Sequence, residues 1–422
     1  MAVVIKDIDV YIDGTLQKFK GICIENETIK HITNDEIVIE KFLDEHCGCD
    51  ILFGKNKIAM PGLVNYHTHS PMTVLRNIGS DLPLHRWLFE EIFPREAKLT
   101  PENVYFGSLY GQIEMIKSGT VEFTDMYDPF DSLASALEES GMRASISIAT
   151  LHNDWSSGER ITNSCFEETE KTLEKWRKIG NKKLTPLCEI HSVYLYDTKF
   201  LPEVVRFSEK HGMGINMHLH ETEKEIIECL GSLGVRPIEF FESIGALKRN
   251  VVAAHCTYLT QKDMEIMKKY NVLAAVNITS NLKLAGGVPD LPGMLKNNLR
   301  IGFGTDGCAS NNNLNMFEEM HIAGILYKGL LKDATAVSPR QIIDMATGGK
   351  KITEGAVADI ILIDMSVTHL NPINDIEGAI VYSMQGSDVD TTIVGGDILM
   401  KNREITRLDE EKIRYYVNNL KL

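Results

Sequence analysis

The sequence has a deficit of basic residues, and this deficit limits the partners that it could bind. Its 422 residues include 44 Lys and Arg against 59 Asp and Glu, which gives a formal net charge of −15. No basic cluster or arginine-rich stripe offsets this balance. Nucleic acids and anionic membranes attract basic surfaces, so both are disfavoured as partners.

Long apolar runs are also lacking. No stretch approaches the roughly 20 residues that a membrane-spanning helix needs. The beginning, MAVVIKDIDVYIDGTLQ, lacks the long apolar segment of a secretory signal peptide. We therefore expect a cytoplasmic, globular protein, whose 43% hydrophobic residues suffice for a core. Its length suits one large α/β barrel with a smaller appendage.

Paired cysteine spacings are scarce. The eight cysteines are scattered, and in a cytosolic protein we expect free thiols rather than a disulfide framework. The one local cluster, His46-Cys47-Gly48-Cys49, is either a second metal or redox site or a loop of the small domain. Because no matching cysteine pair occurs elsewhere, we favour the loop.

Short β-rich runs alternate with helical patterns through the middle of the chain. Eight such runs read as strands, and they cover residues 63–70, 120–127, 143–150, 184–193, 214–221, 250–256, 271–278 and 299–307. Helical segments such as 101–118, 260–269 and 314–331 lie between them. This alternation predicts a (β/α)8 TIM barrel of the α/β class.

Both ends of the chain are rich in short strands with turn signals. They predict a small discontinuous β-sandwich domain formed by both termini, from residues 1–60 and 352–422. The barrel would then span 61–351. Near the end of the barrel, Ser338 followed by Pro339 predicts the start of a helix, with Ser338 as the N-cap.

Polar residues gather where the predicted strands end, which is where catalytic groups lie in a parallel barrel. His67 and His69 are two residues apart on a strand, so both side chains leave the same face. His218 and Asp306 follow the fifth and eighth runs. Three imidazoles and one carboxylate with room for a water favour a catalytic metal site over a structural one. The fourth run contains no lysine that could bridge two ions, which favours one ion. Zinc suits this donor set, although iron or manganese would also bind it.

Acid–base candidates adjoin the predicted metal ligands. Glu221 could deliver a proton to a substrate nitrogen; alternatively, it is a glutamate that stabilises a helix N-terminus. His255 could hold and polarise the attacking water, or it is a buried packing histidine. Besides ligating the ion, Asp306 can accept the proton of that water. His220 alternates away from His218, so we expect it to face out of the barrel.

These motifs together resemble the amidohydrolase superfamily over nearly the whole chain. Within it, they are most similar to the 5'-methylthioadenosine/S-adenosylhomocysteine deaminases. The matching pieces are Pro61-Gly62-Leu63-Val64-Asn65, His67-Thr68-His69, Asp81-Leu82-Pro83-Leu84, Trp87-Leu88, Glu114-Met115-Ile116, Gly119-Thr120, His218-Leu219-His220-Glu221, Ala253-Ala254-His255-Cys256, Ser280-Asn281-Leu282-Lys283-Leu284, Gly304-Thr305-Asp306-Gly307 and Ser310-Asn311-Asn312.

The resemblance implies roles for these residues. The metal ligands would be His67, His69, His218 and Asp306, and the proton-handling residues Glu221, His255 and Asp306. The implied reaction is hydrolytic deamination of an adenosine derivative, which releases ammonia and gives the inosine analogue. The candidate substrates are 5'-methylthioadenosine, S-adenosylhomocysteine, 5'-deoxyadenosine and adenosine. We also expect a homo-oligomer.

The resemblance extends to the substrate pocket. Glu96 falls where the family holds the ribose hydroxyls, and a carboxylate is apt for accepting from two of them. His191 occupies the family's substrate-contact position. Trp87 resembles its pocket wall, although ordinary core packing is an equal alternative for this residue.

One departure concerns substrate choice. Ile148 stands where the family often places a substrate-binding arginine, and the next candidate is Arg160. Because such an arginine would pair with the homocysteine carboxylate, its loss disfavours S-adenosylhomocysteine in particular. Neutral 5'-substituted adenosines are affected less.

Two other functions remain open. The chain could be another mononuclear amidohydrolase, acting on a free base or a chloro-triazine-like ring. It could also be a barrel that binds a ligand without catalysis, but a complete set of ligands and proton-handling residues argues against this.

Overall fold

Eight parallel strands form the centre of the computed structural model, which describes residues 2–154 and 161–420. Each strand pairs with the next along the chain, so the order of the sheet follows the sequence. The barrel strands, called first to eighth, are Leu63–Thr68, Thr120–Asp125, Arg143–Ile148, Leu184–Ile190, Gly214–Leu219, Val251–His255, Leu273–Val276 and Arg300–Phe303. The predicted barrel is confirmed, although every strand ends before its predicted range does.

The barrel closes where the chain beyond the eighth strand returns to the first. There the backbone N–H of Asp306 donates to the carbonyl oxygen of His67 at 3.0 Å. Across the interior, Asn216 Nδ2 donates to Ser147 Oγ at 2.9 Å and connects the fifth strand with the third. Strand residues alternate between faces, so His218 shares the inner face with Asn216. Ile148 takes the opposite face from Ser147 and is buried in the main apolar core.

Helices connect most successive barrel strands and cover their outer face. The α-helices of the described residues are Glu36–Glu45, Leu84–Arg86, Phe93–Glu96, Pro101–Lys117, Phe130–Ser140, Phe166–Ile179, Leu201–His211, Glu223–Leu233, Pro237–Ser243, Gln261–Tyr270, Ile278–Lys283, Leu291–Lys296, Met316–Leu331, Pro339–Thr347, Ile376–Tyr382 and Glu410–Asn419. Shorter 3-10 turns cover Ser70–Leu75, Thr198–Phe200, Ala246–Lys248, Thr368–Leu370 and Gly386–Asp388, and a π-helix covers Trp87–Ile92.

Local sequence explains where helices begin. Ser338 caps the helix Pro339–Thr347 as predicted, because its hydroxyl accepts from the Gln341 N–H while the Gln341 side chain accepts from the Ser338 N–H. Proline at the first helical position has no N–H to leave unpaired. No helix of the described ranges is long and apolar enough to cross a membrane.

The two ends of the chain meet in one nine-stranded mixed sheet. Its strands are Ala2–Ile12, Thr15–Glu25, Thr28–Thr33, Asp50–Phe53, Lys57–Pro61, Ile360–Asp364, Val389–Val394, Asp397–Lys401 and Glu404–Ile405. The strand Lys57–Pro61 pairs with Ala2–Ile12 on one side and Ile360–Asp364 on the other, and so joins the ends. This sheet agrees with the predicted small β domain. Its division from the barrel at residues 60/61 and 351/352 stays our proposal.

A two-stranded hairpin follows the third barrel strand. Leu151–Asp154 pairs with Ile161–Ser164. Arg160, the predicted alternative to the missing arginine, lies outside the described residues. In the small domain, His46 Nε2 lies 3.1 Å from Glu25 Oε1 and Cys47 is exposed. Residues 46–49 form the predicted loop, between the helix Glu36–Glu45 and the strand Asp50–Phe53. That this loop binds no metal stays a prediction.

A buried carboxylate joins the barrel to the terminal sheet. Asp359 accepts from Lys350 Nζ at 2.7 Å, from the Gly395 N–H at 2.8 Å and from Arg143 at 3.3 Å. Lys350 also binds Glu122 of the second strand at 2.7 Å. Burial raises the pKa of Asp359, but the charges of Lys350 and Arg143 outweigh burial and lower it.

We expect Asp359→Asn to lower the free energy of unfolding by about 2 kcal/mol at pH 7, because it weakens charge-assisted hydrogen bonds in a buried place. Since the pKa of this carboxyl is lowered on folding, its contribution is present above the ordinary value near 4 and is lost as the pH falls through the lowered value. Denaturant unfolding of both proteins at several pH values measures this. The exposed control Asp44→Asn should change stability by less than about 0.5 kcal/mol. Equal stability of Asp359→Asn and the parent at pH 7 would contradict the account.

Candidate metal centre and active site

The ends of three barrel strands bring four potential metal ligands together. His67 comes from the first strand and His69 directly follows it, His218 comes from the fifth strand, and Asp306 from the turn after the eighth. The chain needs glycine at Gly304, because a Cβ there would lie 2.3 Å from Asn277 Oδ1 and 2.8 Å from His67 Cβ. The glycine thus allows the eighth strand to approach the first closely enough to place Asp306.

The four side chains face one point. Ligand atoms of His67, His69 and His218 all lie within 4.8 Å of one another. Asp306 Oδ1 lies 3.2 Å from His69 Nε2 and 3.6 Å from His67 Nε2. All four side chains are buried. The predicted ligand set is therefore brought together in space.

Backbone carbonyls orient two of the imidazoles. His218 Nδ1 lies 2.8 Å from the carbonyl oxygen of His191, and His69 Nδ1 contacts that of Met126. Each Nδ1–H donates to its carbonyl, which leaves Nε2 as the ligand atom. Such partners set the tautomer and the ring orientation in metal sites.

The electrostatics of the cluster suit a cation. Burial lowers the pKa of His67 to about 4 and holds that of His218 well below its ordinary value, so both are neutral, as a metal requires. Burial also lowers the pKa of His69, but the hydrogen bond and charge of Asp306 outweigh burial and raise it to about 9. The Asp306 carboxylate is thus the one anionic ligand among three imidazoles.

An unsatisfied histidine provides the test of whether a metal fits. Both nitrogens of His67 are buried and have no hydrogen-bond partner in the described structure. Buried polar atoms are rarely left so, because an unpaired group costs about 1–3 kcal/mol. A metal ion bound to Nε2 would satisfy one of the two nitrogens. The donor set and its geometry therefore fit a divalent ion.

Glu221 and His255 adjoin the cluster. Glu221 Oε1 lies 3.7 Å from His255 Nε2, and both side chains line the same cavity as Asp306. Thr222, not Glu221, is the N-cap of the helix Glu223–Leu233. Glu221 is held by its backbone N–H, which donates to buried Glu225 at 2.8 Å. Glu221 therefore directly precedes the cap at this helix N-terminus, and both of its predicted roles stay predictions.

His220 takes the opposite face from His218, as predicted. It is fully buried, its Nε2 accepts from the Ile238 N–H at 3.2 Å, and its Nδ1 lies 3.3 Å from the Tyr258 carbonyl oxygen. Its backbone has a positive φ of 54°, and the same holds for His255 at 72° and Asp306 at 61°. This conformation is uncommon without glycine, and such strain clusters at functional sites.

One cavity of about 760 Å³ opens above the cluster. His69, His218, Glu221, His255 and Asp306 line its metal end. Three of the predicted substrate-binding residues also line it, namely Trp87, Glu96 and His191. Their roles stay predictions, but every predicted site residue that the structure describes lies in or next to this cavity.

The predicted substrate residues differ in their surroundings. Glu96 Oε1 accepts from the Tyr127 hydroxyl at 2.6 Å. Among the described residues, the Nδ1 of His191 and the Nε1 of Trp87 are buried without a hydrogen-bond partner. Burial lowers the pKa of His191 to about 3, which keeps its ring neutral. Trp87 also packs in an apolar cluster with Leu75 and Ile92, so both interpretations of this residue hold.

Sequence reasoning missed several residues of the cavity. Tyr127 binds Glu96, and Asp128 and Glu189 add carboxyls to the wall. Glu189 is two residues before His191, so the period of a strand could have placed it on the same face. No sequence signal pointed to Tyr127, which lies in a loop after the second strand.

Together, the barrel and its buried histidine–carboxylate cluster at the carboxyl ends of the strands define a metal-dependent hydrolase fold. The model of the Amidohydrolase family matches residues 58–399. The chain is 41% identical over 436 aligned positions to a protein of Acetivibrio thermocellus named 5-methylthioadenosine/S-adenosylhomocysteine deaminase, and the alignment covers 100% of this chain and 99% of that one. A protein of Methanocaldococcus jannaschii named 5'-deoxyadenosine deaminase is 39% identical, with 96% of each chain covered.

The chain therefore belongs to the amidohydrolase family, as its motifs indicated. A solved structure agrees in fold: an adenosine deaminase from Xanthomonas campestris with bound zinc superposes with a TM-score of 0.88 at 24% identity. The superposition covers 99% of this chain and 97% of that one.

We expect the purified chain to hold one divalent ion, and His67→Ala to weaken its affinity for that ion by more than about 100-fold, since even partners of metal ligands are worth 10–100-fold. Elemental analysis and chelator competition measure this. The double variant Cys47→Ser with Cys49→Ser is the control and should keep the full metal content. Loss of metal in the cysteine variant, or retention in His67→Ala, would place the ion elsewhere.

Proposed function

We propose that this chain is a hydrolytic deaminase of adenosine derivatives that uses one divalent ion, with Zn²⁺ preferred. One observation carries the proposal: three members of the four-ligand cluster line one cavity together with Glu221, His255 and the carboxyl of Glu96, and the fourth, His67, lies against them. Two relatives that are named as deaminases of adenine nucleosides support it.

The metal would be held by Nε2 of His67, His69 and His218 and by Oδ1 of Asp306. An ion in such a site makes water nucleophilic at neutral pH. Glu221 delivers a proton to N1 of the adenine ring, which makes C6 more electrophilic toward the oxygen of that water. Asp306 and His255 take up the two protons of the water; one goes to the leaving amino group, and the other restores the carboxyl of Glu221. The C6–N bond breaks, ammonia leaves, and C6 keeps the oxygen of the inosine analogue.

The position of Glu221 suits an acid. Burial raises the pKa of its carboxyl, which favours the protonated form that can donate. His255 Nε2, at 3.7 Å, is close enough to exchange a proton with it through a small movement or a water. Together the two side chains form a short route between the water and the ring nitrogen.

Glu96 would bind the ribose hydroxyls. Tyr127 donates to one of its oxygens and thereby fixes the carboxyl. Glu96 lines the cavity, and a carboxylate can accept from two vicinal hydroxyls. A free base has no such hydroxyls, so Glu96 favours a nucleoside over the free-base and chloro-triazine alternatives.

The charged residues on the cavity wall affect which 5' substituent of the substrate is favoured. Among the described residues that line it there is no lysine or arginine, whereas Asp128 and Glu189 contribute carboxyls. Burial and the neighbouring Asp128 raise the pKa of Glu189 to about 8. The carboxylate of a homocysteine substituent would meet no cation among the described lining residues, so we favour neutral substituents such as that of 5'-methylthioadenosine. The homo-oligomer and the cytoplasmic location stay predictions from the sequence.

We expect the metal-loaded chain to release ammonia from 5'-methylthioadenosine and 5'-deoxyadenosine with kcat/KM about 10-fold or more above that for S-adenosylhomocysteine, since an unpaired buried charge costs at least 1–3 kcal/mol. A coupled ammonia assay over these nucleosides, adenosine and guanine measures this. Arg160→Ala measures how much the Arg160 side chain contributes to the turnover of S-adenosylhomocysteine. No turnover of any adenine nucleoside would overturn the proposed function; a preference for S-adenosylhomocysteine would overturn only the substrate class.

Replacement of Glu96 by glutamine tests the ribose contact. Glu96→Gln should raise KM for nucleosides by about 10- to 100-fold, because a charge-assisted hydrogen bond is worth about 1.5–3 kcal/mol. KM for a free base should change far less. Steady-state kinetics of both substrate types measure this, with the exposed Glu203→Gln as the control. Equal effects of Glu96→Gln on nucleosides and bases would remove Glu96 from the ribose site.

A further inference from the structure

Two adjacent buried side chains, Ser280 and Asn281, lie beside the metal end of the cavity. They belong to the short helix Ile278–Lys283, which follows the seventh barrel strand. Their exposed fractions are 1% and 4%. Neither residue lines the cavity, so any effect on the reaction must pass through a neighbour.

Asn281 binds the ring of His255. Its Oδ1 lies 2.8 Å from His255 Nδ1, while its Nδ2 donates to Thr257 Oγ1 at 2.9 Å. An amide oxygen accepts only, so Nδ1 of His255 carries the hydrogen. Asn277 Nδ2 lies farther from the same nitrogen, at 3.3 Å, and the shorter contact decides the tautomer.

This tautomer leaves Nε2 of His255 with a free lone pair. Nε2 lies 3.7 Å from Glu221 Oε1. One ring nitrogen of His255 also lies within 4.8 Å of ligand atoms of His67 and Asp306. A proton-accepting nitrogen is thus presented to the place where water and substrate would meet.

Ser280 binds the second residue, Asp306. Ser280 Oγ donates to Asp306 Oδ2 at 2.6 Å, and Ser310 Oγ donates to the same oxygen at 2.8 Å. With Oδ2 held by two hydroxyls, Oδ1 is the oxygen that faces His67 and His69. The rotation of the carboxylate is therefore fixed from outside the metal site.

We propose that Ser280 and Asn281 are positioning residues. From neighbouring places on one helix, Ser280 fixes the rotation of the Asp306 carboxylate and Asn281 fixes the tautomer of His255. The proposal rests on the proposed function for the part that concerns turnover, and on the geometry alone for the part that concerns metal binding. Because the two residues are adjacent on one helix, they align groups from the eighth and sixth strands with each other.

The two side chains make separable contributions. Loss of the Ser280 hydroxyl removes one hydrogen bond to the metal ligand Asp306. Loss of such a partner typically lowers metal affinity by about 10–100-fold. Loss of the Asn281 acceptor instead leaves the tautomer of His255 unfixed, and His255 lies outside the proposed ligand set. Metal affinity and turnover should therefore respond to different residues.

Three variants of the full-length chain test this. Ser280→Ala should weaken Zn²⁺ affinity by about 10- to 100-fold in a chelator competition. Asn281→Leu should keep that affinity within about 3-fold, lower kcat for 5'-methylthioadenosine by about 10- to 100-fold and leave KM within about 3-fold. Asn281→Asp retains the acceptor and should recover most of kcat.

Controls separate positioning from a purely structural role. Ser208→Ala removes another buried hydroxyl, which binds the Met213 carbonyl oxygen away from the site, and should change neither readout. Thermal melting verifies folding, and Asn281→Ser replaces Asn281→Leu if the leucine variant does not fold.

Equal losses of metal affinity and kcat in the Ser280 and Asn281 variants, or no recovery in Asn281→Asp, would overturn the proposal. If the parent turns over no adenine nucleoside, the proposed function fails, while the Ser280→Ala metal affinity still tests the positioning of Asp306.

Discussion

The rest of the site depends on one hydrogen bond that closes the barrel. It runs from the Asp306 N–H to the His67 carbonyl oxygen, at 3.0 Å. It ties the end of the eighth strand to the first, so that an imidazole and a carboxylate far apart in sequence face each other. Gly304 makes this approach possible because any side chain there would meet His67 and Asn277. The fifth strand then adds His218 across the interior, and Glu221 follows it at the turn.

Around this junction the protein keeps polar groups buried by giving most of them a partner. Carbonyl oxygens hold His69 and His218, hydroxyls hold Oδ2 of Asp306, and an amide holds His255. Among the four ligands His67 is the exception, since neither of its ring nitrogens has a hydrogen-bond partner in the described structure. That exception is where the donor set fits a cation, and Asp306 is the one carboxylate among the four ligands. The cavity above it is apolar along much of its wall, with carboxyls at Glu96, Asp128 and Glu189.

The sequence predicted those features of the structure that depend on residues close together along the chain. The period of two along a strand placed His67 beside His69 and turned His220 away from His218, because strand geometry is local. The eight strands were found for the same reason, though each ends earlier than its apolar pattern does. The bond from Tyr127 to Glu96 and the contacts of Ser280 and Asn281 join loops and helix turns that are distant in sequence, and no local pattern encodes them. Ile148 illustrates the limit: the motif comparison placed it at a substrate position, but strand alternation turns it into the core.

The central claim is that one ion, held by three imidazoles and one carboxylate, organises this cavity for nucleoside chemistry. Anomalous diffraction at the zinc edge, from crystals of the zinc-loaded chain with an inosine-type product, tests the claim most directly. The account predicts one peak per chain bounded by His67, His69, His218 and Asp306, with the purine beside Glu221 and the ribose on Glu96. A peak at Cys47 and Cys49 alone, two peaks in the barrel, or a purine bound away from Glu221 would contradict it.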